Sequence, residues 1–494
     1  MADDIATQET SQTLPSQPRP LRDVASWDME ADVVIVGLGV AGGAAAIEAA
    51  RAGADVLILE RAAAGGGATA ESGGQIYFGG GTRVQKACGF DDPPEEMLKH
   101  LLDICGPTNE AKVRLYCQRS VEHFDWFVEL GLEFNDSFYP HKTATPETDD
   151  GISYSGNEAT YPFSQRAKPV PRGHKPRQKG DAGALIMQSI IGGVKASGAR
   201  TVTEALCETL VTAEDGRVVG AVATIDGEER LVKARRGLVL AAGGFIKNQE
   251  MLAKHAAQLL DCNYPLGTDG DDGRGIRMGM GAGGNTVHMG EAFVSVPFYP
   301  PSAHVKGILV NAQGQRFINE DSYHGRCGDF VVNHQGGTAY LIVDNELYGP
   351  TVAMHKIVAV EETIEALESA VGFPESTLTA TVEFFNHYAA KGEDPLFHKA
   401  SKYLRPLNAS PYSALNLSIK KSIIPGFTLG GLETSPTGEV LTPDGEPIPG
   451  LYAAGRTTAG LPRSAGTYAS GLSIADGSFF GRMAGISAAA TAPW

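Results

Sequence analysis

Residues 33–36 (VVIV) form an unbroken apolar run, and the residues after them change pattern abruptly. A short apolar run bounded by turn residues predicts a strand buried on both faces, as in a parallel sheet. Gly37, Gly39 and Gly42 follow as G-x-G-x-x-G, and residues 44–52 continue as a small-residue helix. A second run, residues 56–59 (VLIL), predicts the next strand and ends at Glu60. Two more runs come late: "GLVLAAGGF" at 237–245 and "GLYAAGRTTAG" at 450–460. Between these runs, residues 91–132 read as mainly helical. Two amphipathic stretches there are "PPEEMLKHLLDI" and "NEAKVRLYCQRSVEHFDWFVEL". Residues 134–177 are rich in Pro and Gly and predict loop. "ESTLTATVEFFNHYAAKG" predicts a helix that starts with a capping signal and ends at Gly392. No internal repeat is visible.

The 494 residues exceed one simple core, so two or more domains are expected. Apolar residues make up 42% and charged residues 20%, the balance of a soluble globular chain. A net charge of −17 argues against nucleic acid as a partner. The first 20 residues are polar and acidic, with neither a basic start nor an apolar core. They predict a disordered lead-in and no secretory signal. No apolar run reaches the roughly 18 residues of a membrane span. The six cysteines have no C-x-x-C spacing, and the 12 histidines no H-E-x-x-H. Neither a dithiol nor a metal site is expected, and free thiols fit the cytoplasm.

The glycine motif carries the first chemistry. It lies between a predicted strand and helix, and Glu60 follows Gly42 by 18 positions. That context predicts a dinucleotide cradle, with pyrophosphate at the helix start and the acid on the ribose hydroxyls. An acid at Glu60 also disfavours a 2′-phosphate. A second glycine-rich loop, "GGGATAESGGQIYFGGGT" at 65–82, follows directly. A nicotinamide enzyme would proceed to another βα unit, whereas this loop suits a flavin. FAD is the expected cofactor.

With these motifs in place, the chain resembles the fumarate reductase and succinate dehydrogenase flavoprotein superfamily from about Ala31 to Gly485. Within it the resemblance is to the 3-ketosteroid dehydrogenases, most of all the Δ4-(5α) type. It rests on "YFGGGTRVQKACGFDDPPEEM", "PRGHKP", "GILVNAQGQRFINEDSYHGR", "GFTLGGLETS" and "GTYASGLSIADGSFFGRMAG". The resemblance implies an α/β fold: a Rossmann-like FAD-binding domain (residues 27–290 and 422–494) with an inserted α+β substrate-capping domain (291–421). Residues 1–26 are the lead-in. It also implies dehydrogenation of the C4–C5 bond. C1–C2 dehydrogenation, or reduction of an unsaturated acid as in fumarate reductases, is the alternative.

The resemblance further implies the residues that meet the cofactor. They are Gly37, Gly39, Val40, Ala41, Gly42, Glu60, Arg61, Ser72, Gly73, Gly74, Ala205, Leu206, Ala242, Gly243, Gly455, Arg456, Ser473 and Ile474. Where covalent relatives carry a His ahead of the second glycine pair, this chain has Gly67, so FAD is expected to be non-covalent. Fumarate reductases place an Arg before the "ILVN" segment, near Ala303 here; only His304 and Lys306 stand by. The "TDGDDGRG" loop is read as lying near FAD, and His174 as structural.

Dehydrogenation needs a hydride acceptor, a base and donors for the ketone oxygen. The resemblance assigns Tyr468 and the Gly471 amide to the ketone. Ser470 and Tyr323 are assigned to base and relay, with the order open. A phenol near pKa 10 needs stabilisation to act as a base, which His324 or Arg326 stands close in sequence to provide. Arg463 departs from an apolar pocket and raises a carboxylated substrate as a possibility. The expected partner is a small steroid-like molecule; no motif names the electron acceptor.

Overall fold

The computed structural model describes residues 14–106, 110–351 and 353–494. Its largest sheet has nine strands among the described residues. At its centre Met29–Val36 runs parallel to Val56–Leu59 on one side and Glu228–Leu240 on the other. Arg200–Val202 extends the sheet beyond Val56–Leu59, and Pro447–Ala453 pairs in parallel with Glu228–Leu240. Thus the four apolar runs legible in the sequence converge on one sheet, although about 400 residues part the first from the last. Two antiparallel partners, Ala205–Thr212 and Val218–Ile225, complete the long edge.

The helix Val40–Arg51 packs against the C-terminal helix Leu472–Ala490 at very short range. Cβ atoms built on Gly481 and Gly485 would lie 2.4 and 2.2 Å from the carbonyl oxygens of Ala41 and Ala45. The small residues therefore serve helix–helix approach, which brings the far C-terminus to the start of the first helix.

A separate apolar core gathers around a four-stranded antiparallel sheet. Its strands are Ile308–Val310, Tyr340–Asp344, Tyr412–Asn416 and Ile357–Glu361. The helices Ile364–Val371 and Thr377–Ala389 supply Leu367, Leu378, Val382 and Phe385 to that core. Mixed α/β content over a nucleotide-type sheet is what the sequence led us to expect.

Three local expectations change. Residues 1–13 of the lead-in lie outside the described residues, and residues 14–26 include backbone pairing with the main body. Arg19–Pro20 pairs in parallel with Val211 and Thr212, and Ser16 N donates to Arg277 O at 3.0 Å. Proline left that segment no continuous pattern, but one edge of the sheet accepts it. Residues 134–177 hold two-residue strands, Phe138–Tyr139, Ile152–Ser153 and Gly173–His174, which join Ile76–Tyr77 in a small sheet. The helix Thr377–Ala389 is capped from outside: Ser376 makes no side-chain cap. Instead Glu368 of the preceding helix accepts from Ser376 N at 2.6 Å and Thr379 N at 3.0 Å.

Candidate active site

A single cavity of about 770 Å³ runs from Glu60 to Tyr468 and Tyr323. One end is built from the turns at the carboxyl ends of the parallel strands. Gly37 adopts φ = 100°, and a Cβ there would lie 2.5 Å from Ala241 O. A Cβ on Gly39 meets nothing within 4 Å, because that residue faces the open cleft. The helix behind it, Val40–Arg51, has no side-chain cap, so its first amide groups are available to an anion. Glu60 accepts from Leu38 N at 2.6 Å and Ala62 N at 2.8 Å, which fixes its carboxylate at the second strand's tip. Arg61 pairs with Asp272 at 2.9 Å across the mouth. Ser72, Gly73, Gly74, Ala205, Leu206, Ala242, Gly243, Gly455, Arg456, Ser473 and Ile474 line the same cavity, as do Val40 and Ala41.

Gly42 does not line the cavity. A Cβ there would sit 2.0 Å from Gly37 O, so this glycine lets the helix close on the strand instead of touching a ligand. The glycine-rich turn, the uncapped start of Val40–Arg51 and the acid at the strand tip fit FAD. Gly67 also lines the cavity.

The other end is built from side chains of four distant segments: Phe293 and Ser295, Tyr323 and His324, Phe427, and residues 468–474. Tyr323 Oη and Ser470 Oγ lie 2.8 Å apart. The two tyrosine rings stack with centroids 6.2 Å apart at 26°. Phe293 packs on Tyr468 at 4.8 Å and stacks on Phe427 at 4.8 Å, giving the chamber flat apolar walls. Tyr468 Oη donates to Ser473 Oγ at 3.0 Å. Gly471, at φ = 85°, starts the C-terminal helix, which has no side-chain cap. Among the described residues its amide N–H has no protein acceptor.

The loop at 155–158 (SGNE) holds this constellation together, and nothing in the sequence had singled it out. Asn157 Oδ1 accepts from Tyr323 N at 2.8 Å, and Ser155 O accepts from Ser470 N at 2.6 Å. Between them Gly156 sits so close that a Cβ would lie 3.2 Å from Tyr468 O. Buried Glu158 ties the loop to itself, accepting from Gly156 N at 2.7 Å and from the Ser155 hydroxyl. One short loop thus touches the backbones of both candidate proton carriers.

Electrostatics separate the roles. Burial pushes the Tyr323 phenol well above the usual tyrosine range, helped by nearby Tyr468 and opposed by the Ser470 hydrogen bond. Burial also raises Tyr468, opposed by its bonds to Ser473. Both phenols are therefore neutral across ordinary pH. His324 does not provide the positive charge that its place in the sequence offered. Burial lowers its pKa to about 3, so the ring is neutral; Ser295 Oγ lies 2.6 Å from its Nδ1. Arg326 points elsewhere, over the rings of Phe163 and Phe330.

The candidate cations for a dicarboxylate also lie outside the cavity. Arg463 Nη2 lies 2.8 Å from His288 Nδ1 and feels the charge of Glu291. His304 bonds Phe298 O at 3.0 Å through Nδ1 and accepts from Gly349 N at 3.1 Å through Nε2. Arg456 does line the cavity, but Asp271 holds it at 2.9 Å.

Comparison with known proteins agrees with this geometry. The FAD binding domain family model matches residues 32–469. The 3-oxo-5-alpha-steroid 4-dehydrogenase of Comamonas testosteroni is 30% identical over 506 residues, covering 88% of this chain and 94% of that protein. The crystal structure of the 3-ketosteroid Δ4-(5α)-dehydrogenase of Rhodococcus jostii RHA1, in complex with 4-androstene-3,17-dione, is 45% identical. It superposes with a TM-score of 0.91 over 96% of this chain and 99% of that one. The probable fumarate reductase Ifc3 of Shewanella frigidimarina is 28% identical over 472 residues, covering 92% of this chain and 74% of that protein. The glycine cradle and the tyrosine–serine chamber therefore sit in a chain that belongs to the FAD binding domain flavoproteins, among the 3-ketosteroid dehydrogenases and with fumarate reductases as relatives.

Proposed function

We propose that the protein dehydrogenates the C4–C5 bond of a 5α-saturated 3-ketosteroid. The observation that carries this reading is the 2.8 Å bond between Tyr323 and Ser470 beside a second tyrosine and an uncommitted amide. FAD held in the glycine cradle would supply the hydride acceptor for C5.

The chain's own residues then manage the proton and the ketone. Ser473's hydroxyl can rotate to donate to the Tyr468 oxygen, which frees the phenolic proton for the substrate's 3-keto oxygen. The Gly471 amide supplies a second donor. Two preorganised donors stabilise charge that develops on that oxygen, and they make the C4 protons more acidic. Ser470 Oγ takes a C4 proton as its own proton passes to the Tyr323 oxygen, and Tyr323 in turn releases its phenolic proton to solvent, so both hydroxyls end as they began. A high phenol pKa suits a relay that stays neutral and disfavours a resident phenolate. Phe293, Phe427 and the tyrosine rings match flat fused rings. The start of the helix Leu472–Ala490 favours negative charge on the cofactor side.

The unit built on the Ile308–Val310 and Tyr340–Asp344 strands acts as an inserted cap over the flavin end, with 291–421 as its extent. FAD is held without a covalent bond, as Gly67 indicates. Six free cysteines favour a cytoplasmic setting, and no helix among the described residues is long and apolar enough to cross a membrane. The electron acceptor stays unassigned. The test is product analysis after aerobic or dye-coupled turnover of a 5α-saturated 3-ketosteroid. A conjugated 4-ene-3-one supports the reading; unchanged substrate contradicts it.

A further inference from the structure

Around the opening of the cavity the surface departs from the rest of the molecule. Pro297, Ala353, Ile423, Pro425 and Tyr264 line the cavity. Beside Ala353, Met354 is 78% exposed, and Tyr264 is 55% exposed. Met354 also adopts φ = 47°, a region that non-glycine residues enter only when the surroundings impose it. The surroundings do impose it. Met354 N donates to Thr351 O at 2.9 Å, and His355 is pinned to Ser422 Oγ at 3.2 Å and Pro297 O at 3.3 Å. The backbone is thus held so that an apolar side chain faces water at the rim.

Charge departs in two of the segments there, whereas the segment around Tyr264 keeps Asp261, Asp269 and Asp272. The chain carries a net charge of −17, yet the two rim segments, residues 353–360 (AMHKIVAV) and 418–425 (SIKKSIIP), hold three lysines and no carboxylate. Lys356 and Lys421 are exposed, and Lys420 pairs with Asp261 at 3.3 Å. An exposed apolar side chain flanked by lysines is the pattern of a surface that lies on an anionic bilayer. An acidic protein would otherwise be repelled from such a surface.

We propose that the opening of the cavity docks on an anionic lipid bilayer, with Met354 entering the interface and Lys356 and Lys421 facing the headgroups. The flat apolar chamber then opens toward the phase in which a sparingly soluble sterol-like substrate resides. This surface rests on the functional reading only for its purpose, because bilayer binding is measured without turnover.

The test is co-sedimentation of the FAD-loaded protein with vesicles of phosphatidylcholine alone, or mixed with phosphatidylglycerol at about 2:1. The expected result is binding to the mixed vesicles that weakens with added salt. Met354→Glu is expected to lower the partition coefficient roughly tenfold. Lys356→Glu with Lys421→Glu is expected to lower it by roughly tenfold or more. Both variants are expected to keep their flavin absorbance and their turnover of dispersed substrate. Protein that stays in the supernatant, or variants that bind as the wild type does, would overturn the proposal. So would a wild-type dimer that Met354→Glu dissociates, because a second copy would then cover this face.

Discussion

The two ends of the cavity are made in different ways. The cofactor end is built from main chain: a glycine turn, helix starts and one acid at a strand tip. The steroid end is built from side chains that four remote segments bring together. Main-chain recognition needs fixed local spacing, so it leaves a motif. Side-chain convergence needs only the final fold, so it leaves none. The first end is expected to fail as a fold or cofactor defect, and the second as a chemical defect with cofactor retained.

The largest effect is expected at the first end. Gly42→Ala places a Cβ 2.0 Å from Gly37 O, which the turn cannot relieve without moving. The purified variant is expected to be nearly colourless, as judged by its flavin-to-protein absorbance ratio. A fully yellow Gly42→Ala would break the comparison at this end.

Tyr468→Phe comes next and belongs to the other end. Loss of one donor to the ketone oxygen is expected to slow turnover by roughly 100- to 1,000-fold, with FAD retained. Ser470→Ala and Tyr323→Phe are each expected to cost about 100-fold through the proton. Asn157→Ala, which releases the Tyr323 backbone, should act in the same direction but less strongly. Because His324 has a pKa of about 3, no step near pH 6.5 from this histidine is expected in the rate profile of the wild type. Substitution of Arg463 by Gln is the smallest expected change. Arg463 faces His288 and Glu291 outside the cavity, so steroid turnover should stay within about twofold of wild type. A large loss would restore the carboxylate reading.

The difference in construction also explains what was legible in advance. The strands at residues 33–36 and 56–59 and the turn between them could be read directly, because burial and turn chemistry act over a few residues. Gly42 was misplaced as a ligand contact, since spacing does not say whether a glycine meets a ligand or a neighbouring strand. Tyr323, Tyr468 and Ser470 were reached only through resemblance to a family. The 2.8 Å bond between Tyr323 and Ser470 joins residues 147 positions apart, and no local pattern encodes it. Asn157 and Ser155 were missed altogether. They act through one carbonyl and one side-chain oxygen, and a loop rich in Gly and Ser looks the same whether or not it holds a site. His324 and Arg326 mislead for the opposite reason: neighbours in sequence on a helix start point in different directions.

The central claim is that the steroid end removes hydrogen from C4 and C5. Its most direct test is anaerobic mixing of the FAD-loaded protein with substrate while the visible flavin absorbance is followed. A 5α-saturated 3-ketosteroid is expected to bleach the flavin, and a Δ4-3-ketosteroid is expected to leave it oxidised. Bleaching by the Δ4 compound alone would move the reaction to C1–C2. Bleaching by neither would contradict the claim.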